Sequence, residues 1–166
     1  MNVFLAAWNF PREHCDRATE EMSALESVYP QLYKRTLWSR FVSNPAAHEP
    51  GRGLFLINLQ HSPEALAPRV YRHCNDKEVF FYDGAPVSAS SSASCHDASF
   101  LSQLSEDEIY DLEGQFAIVR ANADGSQLEV FTDPLGVYQV FQLRSQRVWY
   151  VSNSVRLLTR LTHHPH

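Results

Sequence analysis

Along the chain, apolar and polar positions fall into short strand-like runs broken by turn residues, with one clear helical stretch near the start. Val3 to Trp8 is an apolar run that predicts a first strand. Asp16 to Val28, "DRATEEMSALESV", predicts a helix. Asp16 or Thr19 can cap it, acids crowd its first turns, and Met22, Leu25 and Val28 recur at helical spacing until Pro30 stops it. Leu37 to Ser43 alternates as a strand does, and Asn44 to Gly53 reads as a loop. Leu54 to Gln60, "LFLINLQ", is apolar on both faces, as a strand without a solvent face is.

Val70 to His73 and Val79 to Tyr82 predict a strand pair around "NDK". Ser88 to Ser94 is serine-rich and reads as a loop. Asp97 to Leu104 and Glu106 to Leu112 predict two short helices, the second opened by Ser105 as N-cap with Glu108 completing a capping box. After Gly114 come four strand-like runs, "QFAIVRA", "QLEVFTD", "VYQVFQL" and "RVWYVSN", which predict a meander of hairpins. Val155 to Leu161 closes as an amphipathic helical turn or two. The element order predicts an α+β domain of antiparallel sheets with helices on their outer faces. Residues 1–161 form the domain and residues 162–166 a flexible tail on this reading.

Composition adds boundaries to this picture. The chain has 166 residues, 44% hydrophobic and 20% charged, which is enough for a real core. A formal net charge of −5 gives no electrostatic reason to bind nucleic acid or an anionic membrane. No apolar run approaches a bilayer's width, and "MNVFLAAWNFPREH" lacks the basic start of a signal peptide. Three cysteines, Cys15, Cys74 and Cys95, are an odd number and point to a reducing, cytoplasmic setting with mostly buried thiols.

Four pieces, in order, resemble the N-terminal glutaminase domain of asparagine synthetase and its class II (Ntn-type) amidotransferase relatives. Leu112 to Val119, "LEGQFAIV", resembles that family's Leu-x-Gly-x-Phe-Ala strand. Thr132 to Phe141, "TDPLGVYQVF", resembles its Arg-Asp-x-x-Gly-x-x-Pro-Leu-Tyr segment, with Asp133 and Gly136 matching and Thr132 and Gln139 departing. Val148 to Leu158 resembles its strand-to-helix segment, and Val79 to Val87, "VFFYDGAPV", its Asn-Gly stretch, with Asp83-Gly84 in place of Asn-Gly. The resemblance spans Val79 to Leu161 and is strongest after Leu112. It implies a four-layer αββα sandwich of two antiparallel sheets. It also implies that the Asp133–Gly136 turn joins two strands of one sheet. Gly136 would supply a conformation closed to residues with a Cβ, and Asp133 would accept hydrogen bonds from the turn's own amides.

The chemistry of that family does not carry over. Its nucleophile is a cysteine directly after the initiator methionine, activated by its own α-amino group. Here Asn2 stands at that position, and an amide is not a nucleophile at neutral pH. The family's asparagine donates a hydrogen bond to the developing oxyanion, whereas Asp83 would repel it. The Arg-Gly-Pro-Asp stretch that holds the substrate carboxylate has no counterpart, Arg40 and Arg52 being the nearest arginines. The resemblance thus implies a degenerate glutaminase half, as in β-lactam synthetases and the cyclases of lasso peptides. Asn2, Asp83 and Gly84 would mark its vestigial pocket. Its partner would be a synthetase domain or chain that uses ATP and magnesium, with a peptide substrate and no cofactor in this chain. Docking is expected on the Leu157–Leu161 side and around Asp83-Gly84. The alternative is a free-standing binding or assembly domain that uses the vacated pocket, or an exposed sheet edge, to hold a peptide.

Other clusters have plainer readings. His73-Cys74 and Cys95-His96 invite a zinc site. Neighbouring strand residues point to opposite faces, however, so one buried Cys and one exposed His per pair is the better expectation. Ser152 and Ser154 lack a Gly-x-Ser-x-Gly elbow, and of Trp8, Trp38, Trp149 and the tyrosines, which could form a ligand pocket, most are expected in the core.

Overall fold

The computed structural model describes residues 2–28, 37–45, 49–59, 70–88 and 98–162, and the chain divides into two compact units. The first unit holds strands β1 (Val3–Pro11), β2 (Leu37–Ser43), β3 (Arg52–Leu59), β8 (Phe141–Ser145) and β9 (Val148–Ser152). It also holds helices α1 (Cys15–Val28) and α4 (Val155–Thr162). The second holds β4 (Val70–Cys74), β5 (Glu78–Ser88), β6 (Leu112–Asn122) and β7 (Leu128–Thr132), with the short helices α2 (Ala98–Leu101) and α3 (Glu106–Tyr110). The mixed, antiparallel α+β class expected from the element order is therefore present.

In the first unit the strands run in the order β2-β3-β1-β9-β8, all antiparallel. Chain start and chain end meet at its centre, with Leu5 opposite both Ile57 and Ser152. Leu5, Ala7, Ile57 and Tyr150 form one packed face, against which α1 lays Met22 and Leu25 and α4 lays Leu157 and Leu158. Ala18, Met22 and Leu25 follow the helical period, which is why α1 buries one stripe; Asp16 and Glu20 stay exposed, and Glu21 pairs with Arg160 of α4 at 3.1 Å. Burying each large apolar side chain contributes about 1.5–3 kcal/mol relative to exposure. Residues Gly53 to Leu59 of β3 are buried throughout, as the unbroken apolar run predicts.

In the second unit the order is β4-β5-β6-β7. The longest ladder pairs β5 with β6, from Glu78 opposite Asn122 to Ser88 opposite Leu112. Phe80, Tyr82, Phe116 and Ile118 pack with Leu101 of α2 and Ile109 of α3. Ser105 caps α3 in the expected capping box with Glu108.

Several expectations need correction. The segment "FTDPLGVYQVFQL" is not a turn within one sheet. β7 pairs with β6 in the four-stranded sheet, while β8 pairs with β9 in the five-stranded one. The four late runs are two hairpins joined by a connection, and the second run of this segment becomes a strand only at Phe141. The reason is local: the amides of Val137 and Tyr138 are taken by the Asp133 carboxylate and so cannot enter a ladder. Strand β5 continues through Asp83-Gly84 to Ser88 instead of ending at Tyr82. β1 likewise runs past Trp8 to Pro11, through a bulge between Ala7 and Phe10 where Asn9 takes a φ of 57°.

The thiols are not mostly buried: Cys74 is exposed and Cys15 partly so, while Cys95 lies outside the described residues. All three tryptophans are only partly buried, because Trp8, Trp38 and Trp149 fall outside the fully buried set. Leu157 and Leu158 are buried and Leu161 packs beside them, so the Leu157–Leu161 side is not a free docking surface. Thr162, expected in the tail, is the last residue of α4, and residues 163–166 lie outside the described residues.

Candidate functional site

Strand alternation decides where Asp83 points. Phe80 and Tyr82 face the helices α2 and α3, so Asp83 lies on the opposite face of the four-stranded sheet, in line with Phe81. It is only 5% exposed, and the Tyr138 hydroxyl donates a hydrogen bond to its Oδ2. A carboxylate so buried needs such a donor, because removing a charge from water is costly.

Asp133 holds Tyr138 in place. The Asp133 amide donates to the Phe116 carbonyl at 3.2 Å, which fastens the connection to β6. Its carboxylate accepts from the Val137 amide at 2.9 Å and the Tyr138 amide at 2.7 Å. The Gly136 amide donates back to the Asp133 carbonyl at 3.0 Å, and Gly136 has a φ of 64°. Both expected roles, acceptor for Asp133 and left-handed backbone for Gly136, are present. Burial pushes the Asp133 carboxyl upward. The backbone donors of Tyr138, Val137 and Leu135 outweigh it and hold the group below the ordinary aspartate value.

Gly84 is required for a different reason. Its φ is 106°, and a Cβ built there would lie 2.1 Å from the Gln115 carbonyl oxygen on β6. The close approach of β5 and β6 at this point excludes every other residue.

Asn2 belongs to the first unit and Asp83-Gly84 to the second. Asn2 is 5% exposed, and its carbonyl accepts from Asn153 Nδ2 at 2.8 Å. Asn153 Oδ1 in turn accepts from the Phe4 amide at 3.0 Å, and Ser152 Oγ donates to the Phe4 carbonyl at 2.5 Å. Asn153 thereby clamps the chain start against the end of β9. Nothing in the sequence reading singled it out, although an Asn directly after a strand, in "VSNSV", is a residue type that bonds to backbone.

The chemical content of these groups is clear. Asn2 offers an amide and Asp83 a carboxyl group whose Oδ2 already accepts from Tyr138, so neither supplies the thiol nucleophile or the amide oxyanion donor of that family. Ser152 is committed to the Phe4 carbonyl, and Ser154 Oγ accepts from the Leu157 amide at the start of α4, so neither of these two serines is poised for a triad. Arg52 is held by Glu49 at 2.6 Å and donates to the Asn9 carbonyl at 3.0 Å. Arg40 lies on β2, opposite Leu56.

A wide cavity of about 920 Å³ opens in the second unit, with Leu104, Leu112 and Gly114 in its lining. Phe100, Tyr110 and Leu135 also line it and are exposed, Leu135 to 87%. Among the described residues no group of three His, Cys, Asp or Glu side chains could hold a metal ion. The His73 side chain and the Cys95-His96 pair lie outside that description. No helix among the described residues is long and apolar enough to cross a membrane. Compared with known proteins, the chain matches no family model and no curated relative.

Proposed function

We propose that this chain is a catalytically inactive, glutaminase-like domain. It would serve as scaffold or partner for an asparagine-synthetase-like ligase that forms an amide bond with ATP and magnesium, of the macrolactam- or β-lactam-forming type. The observation that carries this reading is the state of Asp83. At the position matched to the family's oxyanion donor stands a buried carboxylate already satisfied by Tyr138. Asn2 supports it, since the position matched to the nucleophile carries an amide whose backbone is clamped by Asn153. Two antiparallel sheets, each packed with helices, are what the αββα sandwich of that family would require.

With the Leu157–Leu161 side packed, the apolar surface left for a synthetase includes Phe100, Tyr110 and Leu135. The cavity beside them also favours a second reading, a free-standing domain that holds a peptide there. Ammonia release from L-glutamine by the purified chain tests the first reading. None above buffer is expected, and sustained turnover would overturn it. Pull-down from the source cells then separates the readings, a co-purifying ATP-dependent ligase supporting the first and a peptide alone the second.

A further inference from the structure

At one end of the five-stranded sheet lies a second cavity, of about 320 Å³, made wholly by the first unit. Its apolar wall includes Phe10, Val148 and Leu161, and its polar lining includes Arg17, Arg52 and Tyr150. This volume suits a small organic molecule.

Three independent features mark it as built. The first is Tyr150. It is 7% exposed and its ring packs edge-on to Phe10 at 6.1 Å, yet its hydroxyl has no hydrogen-bond partner among the described residues. Tyr150 lines the cavity, where its hydroxyl is open to water or to an acceptor oxygen of a ligand.

The second is charge. Arg17 donates from Nη2 to the Arg160 carbonyl at 3.2 Å and has no carboxylate partner among the described residues. Burial raises the Tyr150 phenol's pKa, and the guanidinium groups of Arg17 and Arg52 act against that shift, so both project positive potential onto the hydroxyl. Glu13 also lines the cavity, but it is solvent-exposed and screened, whereas both arginines are partly buried.

The third is a polar network that fixes the rim. Asn9, Gln146 and Arg147 carry φ values of 57°, 47° and 67°, and none is glycine. The Asn9 side chain donates to the Arg147 carbonyl at 3.0 Å, Arg52 donates to the Asn9 carbonyl, and Glu49 bridges Arg147 and Arg52. Gln146 and Arg147 form the two-residue turn of the β8–β9 hairpin, which calls for positive φ at both positions, and Asn9 sits in the β1 bulge, so turn geometry and these contacts together fix the rim.

We propose that this cavity binds a small organic carboxylate. Arg17 and the Tyr150 hydroxyl donate to its oxygens, Arg52 adds field, and Phe10, Val148 and Leu161 cover a short apolar body. A guanidinium fork and a phenol together match a planar carboxylate, and the apolar wall disfavours a bare, fully hydrated oxyanion. The site is independent of Asp83 and of the ligase reading, so either can fail alone.

The test is calorimetric titration of the full chain with benzoate, benzamide and inorganic phosphate at matched ionic strength, alongside Tyr150→Phe and Arg17→Gln. Tyr150→Phe keeps the ring against Phe10, so it reads the hydroxyl without emptying the core. Saturable benzoate binding, absent with benzamide and weakened about tenfold or more in each variant, is the expected result. No saturable benzoate binding would overturn the proposal, as would equal binding of benzamide. So would preference for phosphate, or wild-type affinity in folded Tyr150→Phe.

Discussion

The phenol of Tyr138 donates to the carboxylate of Asp83 across 55 residues of sequence. This bond ties the connection after β7 to the middle of β5 and gives the buried anion a donor. Tyr138→Phe removes that donor while keeping the ring. A hydrogen bond to a charged group contributes about 1.5–3 kcal/mol, so stability in urea is expected to fall by about that amount. A change below about 0.5 kcal/mol would show that other donors satisfy Asp83 without Tyr138.

Two glycines with positive φ separate steric from conformational demand. At Gly136 a Cβ meets nothing within 4 Å, so Gly136→Ala carries only the left-handed backbone cost of about 1–2 kcal/mol. At Gly84 the Cβ would collide with the Gln115 carbonyl and lie 2.8 Å from Phe116 Cα, so the β5–β6 ladder must part. Gly84→Ala is expected to cost about 3 kcal/mol or more, or to prevent folding. Thermal unfolding of the two variants side by side checks the order, and equal losses would contradict it.

The sequence reveals elements better than partners, and the contrast has a physical basis. α1, β2 and β3 were legible because a helical stripe, an alternating run and an unbroken apolar run are local patterns. The change of sheet between β7 and β8 was not, because it depends on β9 pairing with β1, as Ala7 does with Tyr150. The pattern of residues 128–145 is the same whether its two strands neighbour each other or not. The family resemblance drew attention to Asp133 and Gly136, and their local roles followed from turn chemistry. It gave no sign of Tyr138, Asn153 or Tyr150, whose importance lies in contacts across more than fifty residues. One local hint was available at the sheet end: Asn9 interrupts an apolar strand, and asparagine is among the few residues that tolerate left-handed backbone.

Asp133 makes the connection pH-sensitive. Its pKa is lower in the folded chain than in the unfolded one, so the ionised form stabilises the fold. That contribution is fully present above the unfolded value, about 3.9, and is lost as pH falls through the folded value. Asp133→Asn keeps one acceptor and sets an amide donor against a backbone N–H. It is expected to lower stability at pH 7 and to flatten the acid limb of the stability curve below about pH 4. Urea midpoints from pH 2.5 to 7 read both effects, and an unchanged acid limb would show that another carboxylate carries it.

Cys15 and Cys74 differ in reactivity for reasons visible around each. Burial, reinforced by Asp16, pushes the Cys15 thiol up to about 11, against the weaker pull of Arg12. At pH 8 only about one molecule in a thousand then carries the thiolate that alkylating reagents require. Cys74 is exposed at the end of β4. Iodoacetamide followed by peptide mass spectrometry is therefore expected to label Cys74 at least tenfold faster than Cys15 in the folded chain. In urea the two rates should converge, because unfolding returns Cys15 to water. Equal rates in the folded chain would mean that the α1 start opens readily, which its packing through Ala18 and Met22 argues against.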